Sequence, residues 1–228
     1  MKPILCAIAF LLAWTLPLHA ENPQHLQRLQ NSNECRGCNL QGVTLTGASL
    51  NGVKLINTDL SNSNLTRTLL NQANLSGANL RDVNLSFAQL NQAELIITNL
   101  DRANLTSANL KGADLYHAIL TNTNFQNANL SNANLNGANL FLANLREANL
   151  TGANLNDANL NSADLQNANL EGASLVNASL CGTTLPNGIV SQQGCPQSNP
   201  EQKQPEKPAS EPSESEEPTE PTESENEP

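Results

Sequence analysis

The chain has 228 residues, only 3% of them aromatic, and a formal net charge of −10 at pH 7. Eight of the ten net negative charges lie in the last 33 residues, so the rest of the chain excludes a densely acidic surface. With so few aromatics, a tight core has to be filled by small and aliphatic side chains.

Met1 to Ala20 reads as a secretory signal. Lys2 is the basic start, Ile4 to Leu16 the apolar run, and Leu18-His19-Ala20 the cleavage site ahead of Glu21. The run is too short to span a bilayer, and Cys6 leaves with it. Residues 22–32 predict a short helix, with Asn22 as N-cap, Pro23 as the first helical residue, and Leu26 and Leu29 on one side. Such a helix would cover the open edge of the segment next to it.

That segment is a repeat. From Leu40 to Leu185 every fifth residue is leucine, with Phe125 the one exception. Five matches neither the helical period of about 3.6 nor the strand period of about 2, so it marks an array whose short units bury their apolar faces by stacking. Two residues before the leucine stands Ala in twenty of thirty units, otherwise a small residue such as Cys38, Val43, Val53 or Thr98. One residue before it stands Asn in seventeen units and Asp in three. Side chains two apart on an extended segment share a face, so the small residue and the leucine point inward and the other three positions face water.

The units Ala78-Asn79-Leu80-Arg81-Asp82 and Ala153-Asn154-Leu155-Asn156-Asp157 resemble the pentapeptide-repeat family, and the resemblance covers residues 38–185. It implies an all-β fold, a right-handed quadrilateral parallel β-solenoid of about 7.5 coils of 20 residues, preceded by the short N-terminal capping helix. At a strand spacing of about 4.8 Å the array would be roughly 36 Å long. A twenty-residue coil stacks Arg81 on Asp101 and Asp82 on Arg102, with the charges exchanged. It also aligns Asn109, Asn129, Asn149 and Asn169 into a column. Because such asparagines recur on every side, the column is read as an amide ladder satisfying itself rather than as a ligand face. A capping segment that ends in Cys-x-x-Cys further resembles the secreted cyanobacterial and thylakoid-lumen members. The expected location is therefore exported, in the periplasm or the thylakoid lumen.

After Leu185, Pro186-Asn187-Gly188 signals a turn and Ile189-Val190 a short extended stretch, which should fold back as a lid. Residues 196–228 hold ten Glu against two Lys, with no aromatic or β-branched aliphatic residue, and are expected to be disordered. The organisation is then signal peptide 1–20, N-terminal cap 21–37, repeat array 38–185, C-terminal cap 186–195 and acidic tail 196–228.

Four cysteines remain after export: Cys35, Cys38, Cys181 and Cys195. On the fold implied by the resemblance, two of the three pairings would join opposite ends of the array, beyond the ~7 Å reach of a disulfide. Cys35–Cys38 and Cys181–Cys195 are the expected bonds.

No catalytic apparatus is legible. His25 and His117 are far apart in the chain, the carboxylates are scattered, and phosphate loops, nucleophile elbows and zinc motifs are missing. No cofactor or metal site is expected. Ile96, Ile97, Tyr116 and His117 break the polar rule in adjacent outward columns and form the candidate partner surface. Phe141 and Leu142 make a smaller patch on a neighbouring side. The expected function is an exported, non-catalytic binding or scaffold protein, monomeric, with an unknown protein partner, no nucleic acid and no membrane insertion. Two alternatives accompany it. One is the DNA-mimic, topoisomerase-protecting role known in cytosolic members of the family, opposed by export and by a net charge of −3 over residues 40–185. The other is a thiol–disulfide active protein using Cys35 and Cys38.

Overall fold

The computed structural model describes residues 22–196. The expected signal peptide and the acidic tail beyond Pro196 lie outside the described residues.

Helix α1 spans Pro23–Ser32. Asn22 caps it, its side chain accepting from the His25 N–H, and Pro23 supplies a pre-set φ where no N–H is needed. Asn33 ends it in the left-handed region at φ 55°, its N–H donating to the Leu29 carbonyl. Leu26 and Leu29 are buried against the array, which removes about 1.5–3 kcal/mol of apolar exposure each.

Every pentad of the array takes the same local course. Its one bridged residue pairs in parallel with the residue twenty positions on, from Glu34 with Lys54 to Asp164 with Thr184. Two hydrogen bonds per pentad hold neighbouring turns together on the leading side. Leu130 N–H donates to the Asn149 carbonyl at 2.7 Å and Asn132 N–H to Thr151 at 2.9 Å. Two residues after each register leucine from Leu40 to Leu180, and after Phe125, the backbone enters positive φ, as at Asn132 (56°) or Asp157 (58°), and the chain turns a corner.

That corner overturns the expected fold class. Among the described residues α1 is the sole regular element, and no β-strand forms. The all-β right-handed quadrilateral parallel β-solenoid inferred from the resemblance is therefore not what the structure contains. Pairing is reduced to isolated bridges. The physical reason is local: with a positive-φ residue in every unit, a pentad leaves room for one bridged residue before the direction changes, so no ladder lengthens into a strand.

The inward positions are filled as the pattern requires. Ala133, Leu135, Ala153 and Leu155 are buried, and so is Phe125. Where threonine or serine replaces the small residue, its hydroxyl donates to a carbonyl 23 residues earlier, except at Thr98, which donates to the Leu95 carbonyl of its own turn. Ser63 reaches Leu40 at 3.0 Å, Thr123 reaches Leu100 at 2.8 Å, and Thr183 reaches Leu160 at 2.7 Å. No buried side-chain polar atom among the described residues lacks a partner.

The asparagine column carries two duties, of which the sequence showed one. Asn129 Nδ2 donates to Asn109 Oδ1 at 3.1 Å, continuing the ladder. The same Asn129 Oδ1 accepts from the Ser131 N–H at 3.1 Å, an Asx turn that holds the next corner. Charge pairs obey the twenty-residue register as well. Arg81 lies 3.5 Å from Asp101, and Arg102 holds Asp82 through paired bonds of 2.7 and 2.6 Å.

Replacing the buried Leu135 with Asp should cost about 3–5 kcal/mol, because an unpaired carboxylate would sit between leucine layers. Gln126→Glu, at an outward position, should change stability by less than about 0.5 kcal/mol, both read by denaturant unfolding. The Arg102 hydrogen bond holds the Asp82 carboxyl below its ordinary 3.8. Its contribution is thus present above 3.8 and lost as pH falls through the lower folded value. An NMR titration of Asp82 should show the low midpoint, and Arg102→Leu should return it to the ordinary range.

Candidate functional site

Most outward positions are polar, and the exposed apolar residues fall mainly along one side of the array. Ile97, Tyr116 and Ile119 expose 62%, 40% and 43% of their surface, and Phe141 and Leu142 expose 39% and 48%. The twenty-residue register stacks the turn at Tyr116-His117 on the turn at Ile96-Ile97, with the Ile97 N–H donating to the Tyr116 carbonyl. Ile119 comes next in the same turn of chain, and the Asn122 N–H donates to the Phe141 carbonyl above it. An apolar belt therefore runs from Ile97 through Tyr116 and Ile119 to Phe141 and Leu142.

Of the sequence-predicted residues, Ile97, Tyr116 and His117 are exposed together, while Ile96 is half-buried beneath them. Phe141 and Leu142, read as a separate patch, join the same belt through Ile119. The sequence reading missed Ile119, although a signal was present: it stands where Asn stands in seventeen of the pentads.

Two local features fix the belt's geometry. The rings of Tyr116 and His117 meet edge to face with centroids 4.2 Å apart. The imidazole lies over Gly137, where an added Cβ would stand 2.6 Å from His117 Cε1 and force the ring to shift. Ile97 is the more telling residue. Its φ is 55°, and among the described residues it is the one β-branched side chain in the left-handed region. That conformation costs about 1–2 kcal/mol. Asn and Gly, which carry little or none of this cost, occupy the equivalent corner at Asn57 and Gly77.

On another side Phe87, also exposed, receives the Arg67 guanidinium at 5.6 Å from the ring centroid. A shallow recess of about 420 Å³ is lined by Asn91, Gln92, Lys111, Gly112 and Asn132 and holds no paired acid and base. Among the described residues no cluster of three or more His, Cys, Asp or Glu has the arrangement of a metal site, and no helix is long and apolar enough to cross a membrane.

Both disulfides are formed, Cys35–Cys38 and Cys181–Cys195, with Cα atoms 5.4 and 4.7 Å apart. Cys35 and Cys38 are 0% and 2% exposed beneath α1, where the Cys35 sulfur lies 3.3 Å from the His25 carbonyl. Burial keeps a reductant from attacking that pair, which speaks against its use as a redox centre. Cys181 and Cys195 are half-buried at the surface.

Comparison with known proteins agrees with the repeat. A family model described as "Pentapeptide repeats" matches in eight copies, over residues 34–72, 58–95, 98–137, 138–175 and 163–188. No curated protein matches the chain. Among solved structures, HetL is a pentapeptide repeat protein involved in heterocyst differentiation regulation, from the cyanobacterium Nostoc sp. strain PCC 7120. It is 29% identical over 75% of this chain and 99% of its own, with a TM-score of 0.22. Rfr23, from the cyanobacterium Cyanothece 51142, is 28% identical over 72% and 95%, with a TM-score of 0.28. A pentapeptide repeat protein from the Arabidopsis thaliana thylakoid lumen is 26% identical over 63% and 65%, with a TM-score of 0.18.

Graded dithiol treatment, then alkylation and peptide mapping, should label Cys181 and Cys195 before Cys35 and Cys38. Equal or reversed labelling would show that α1 does not shield the N-terminal pair.

Proposed function

The chain belongs to the pentapeptide-repeat family, and from that premise we propose that it is an exported binding or scaffold protein whose apolar belt docks a protein partner. It is not an enzyme. The observation that carries the belt is Ile97. A β-branched residue held at φ 55° and 62% exposed contributes neither to the core nor to an easy corner, and strain of this kind gathers at functional positions. Tyr116, Ile119, Phe141 and Leu142 extend it into a contiguous apolar surface of the sort that marks interaction sites. Export, to the periplasm or the thylakoid lumen, is supported by the signal-like Met1 to Ala20 and by two disulfides, which persist in oxidising compartments.

The DNA-mimic reading gains nothing from the surface. Asp82, Asp101 and Asp164 are each paired with an arginine, so the array lacks an unbroken negative column. The exported protein is expected to bind neither DNA nor a topoisomerase.

Ile97→Asn separates function from fold by the sign of its effect. Relief of the left-handed strain should raise unfolding stability by about 1 kcal/mol. Affinity capture of the partner from the native exported fraction should weaken at the same time, as it should for Tyr116→Asp. Capture that survives both changes but is lost with Phe87→Asp would move the site to the other side and overturn the proposal.

A further inference from the structure

Two side-chain amide ladders on the surface of the array stop at the same turn. One climbs through the residue just before a corner. Asn71 Nδ2 donates to Asn51 Oδ1 at 2.9 Å, and Asn91 Nδ2 to Asn71 Oδ1 at 2.7 Å. The other climbs through the corner itself, where Gln72 Nε2 donates to Gln92 Oε1 at 3.1 Å. In the next turn the register sets Lys111 above Asn91 and Gly112 above Gln92, so neither ladder continues. Among the described residues Asn91 Oδ1 then accepts from nothing and Gln92 Nε2 donates to nothing. The recess of about 420 Å³ opens at this break, with Asn132 lining it one turn higher. An added Cβ at Gly112 would meet only Gln92 Cγ, at 3.7 Å, so the opening is set by the missing side chain.

The charge at the break has one sign. Six basic side chains stand between Leu40 and Leu185, and five are engaged. Lys54 holds Glu34, Arg67 lies over Phe87, Arg81 meets Asp101, Arg102 meets Asp82, and Arg146 meets Asp164. Lys111 is the sixth, and among the described residues it has neither an acid nor a ring as partner. On the side that runs from the corner at 87 to the corner at 92, Arg67 and Lys111 are the only charged residues in the turns from 47 to 132. Glu94 and Asp114 lie around the corner, held by the amides of Asn74 and Asn134.

We propose that this recess binds a sugar acid, a ligand with one carboxylate and several hydroxyls, at a site separate from the apolar belt. The Lys111 ammonium and Gln92 Nε2 supply the donors a carboxylate requires, and Asn91 Oδ1 accepts from a ring hydroxyl. A cationic ligand would find no acid in the lining, and an apolar one would leave the ammonium and amides unpaired. The volume lies within the range of about 300–1,000 Å³ usual for small-molecule sites.

The test is a ¹⁵N NMR titration of the full chain with glucuronate, using glucose and acetate as controls. Glucuronate should shift the side-chain amide signals of Asn91 and Gln92 saturably, and each control should bind about tenfold more weakly or worse. Two substitutions complete the ladders and so remove the site while keeping the fold. Lys111→Asn extends the asparagine ladder. Gly112→Gln extends the glutamine ladder, at a corner where Gln72 and Gln92 already hold φ of 57° and 56°. Each should weaken glucuronate about tenfold or more, whereas Lys54→Gln should leave it unchanged. A tighter fit for an oligouronate than for glucuronate would make the ligand a chain end, and an equal fit the free sugar; both support the site. Absence of saturable shifts, an equal response to glucose or acetate, or binding that survives both ladder substitutions would overturn the proposal.

Discussion

Everything in this molecule rests on backbone hydrogen bonds between turns of chain twenty residues apart. A five-residue unit has no helix, hairpin or strand of its own with which to satisfy its N–H and C=O groups. Asn129 N–H must reach back to the Ala108 carbonyl, and Leu130 N–H must reach forward to that of Asn149. Order therefore passes from turn to turn, and stability accumulates as nearest-neighbour contributions rather than around one centre. The buried leucine and alanine make those bonds durable by excluding water from the inside of the stack.

The same constraint explains the surface. The corner residue is pinned between two stacked corners, so whatever side chain stands there projects outward in a column. Polar side chains are at ease in that setting and apolar ones are conspicuous. Ile97 is doubly so, because its β-branch also disfavours the corner's backbone. The belt through Tyr116 and Ile119 to Phe141 is the one place where several columns depart from polarity together. The paired Arg102 and Asp82, one and two turns below Asn122, illustrate what those columns ordinarily do.

Much of this was legible in the residues. Asn22-Pro23 announced the start of α1, the five-residue leucine register announced the inward face, and the exchanged charges at 81–82 and 101–102 announced the twenty-residue step. The strand content was not, because the resemblance supplied a fold name while the corner at every fifth residue, a backbone property, decides how much pairing survives. The Asx role of Asn129 escaped for a similar reason: a side chain's bond to the N–H two residues on leaves no periodic trace distinct from the ladder. Ile119 was overlooked because consecutive apolar pairs stand out in the sequence more than a single break in the asparagine column.

The twenty-residue bridges also make the molecule a ruler with coarse graduations. Removing twenty residues between Ile119 and Phe141 would shorten the stack by one turn and leave each later side chain on its own side. Removing five would still keep every leucine inside. It would carry Phe141 and Leu142 around to the neighbouring bridge column, however, and split the belt. Core chemistry is blind to that difference and surface chemistry is not. In such a chain an insertion or deletion can be harmless to folding and yet rewrite recognition, according only to whether its length is a multiple of five or of twenty.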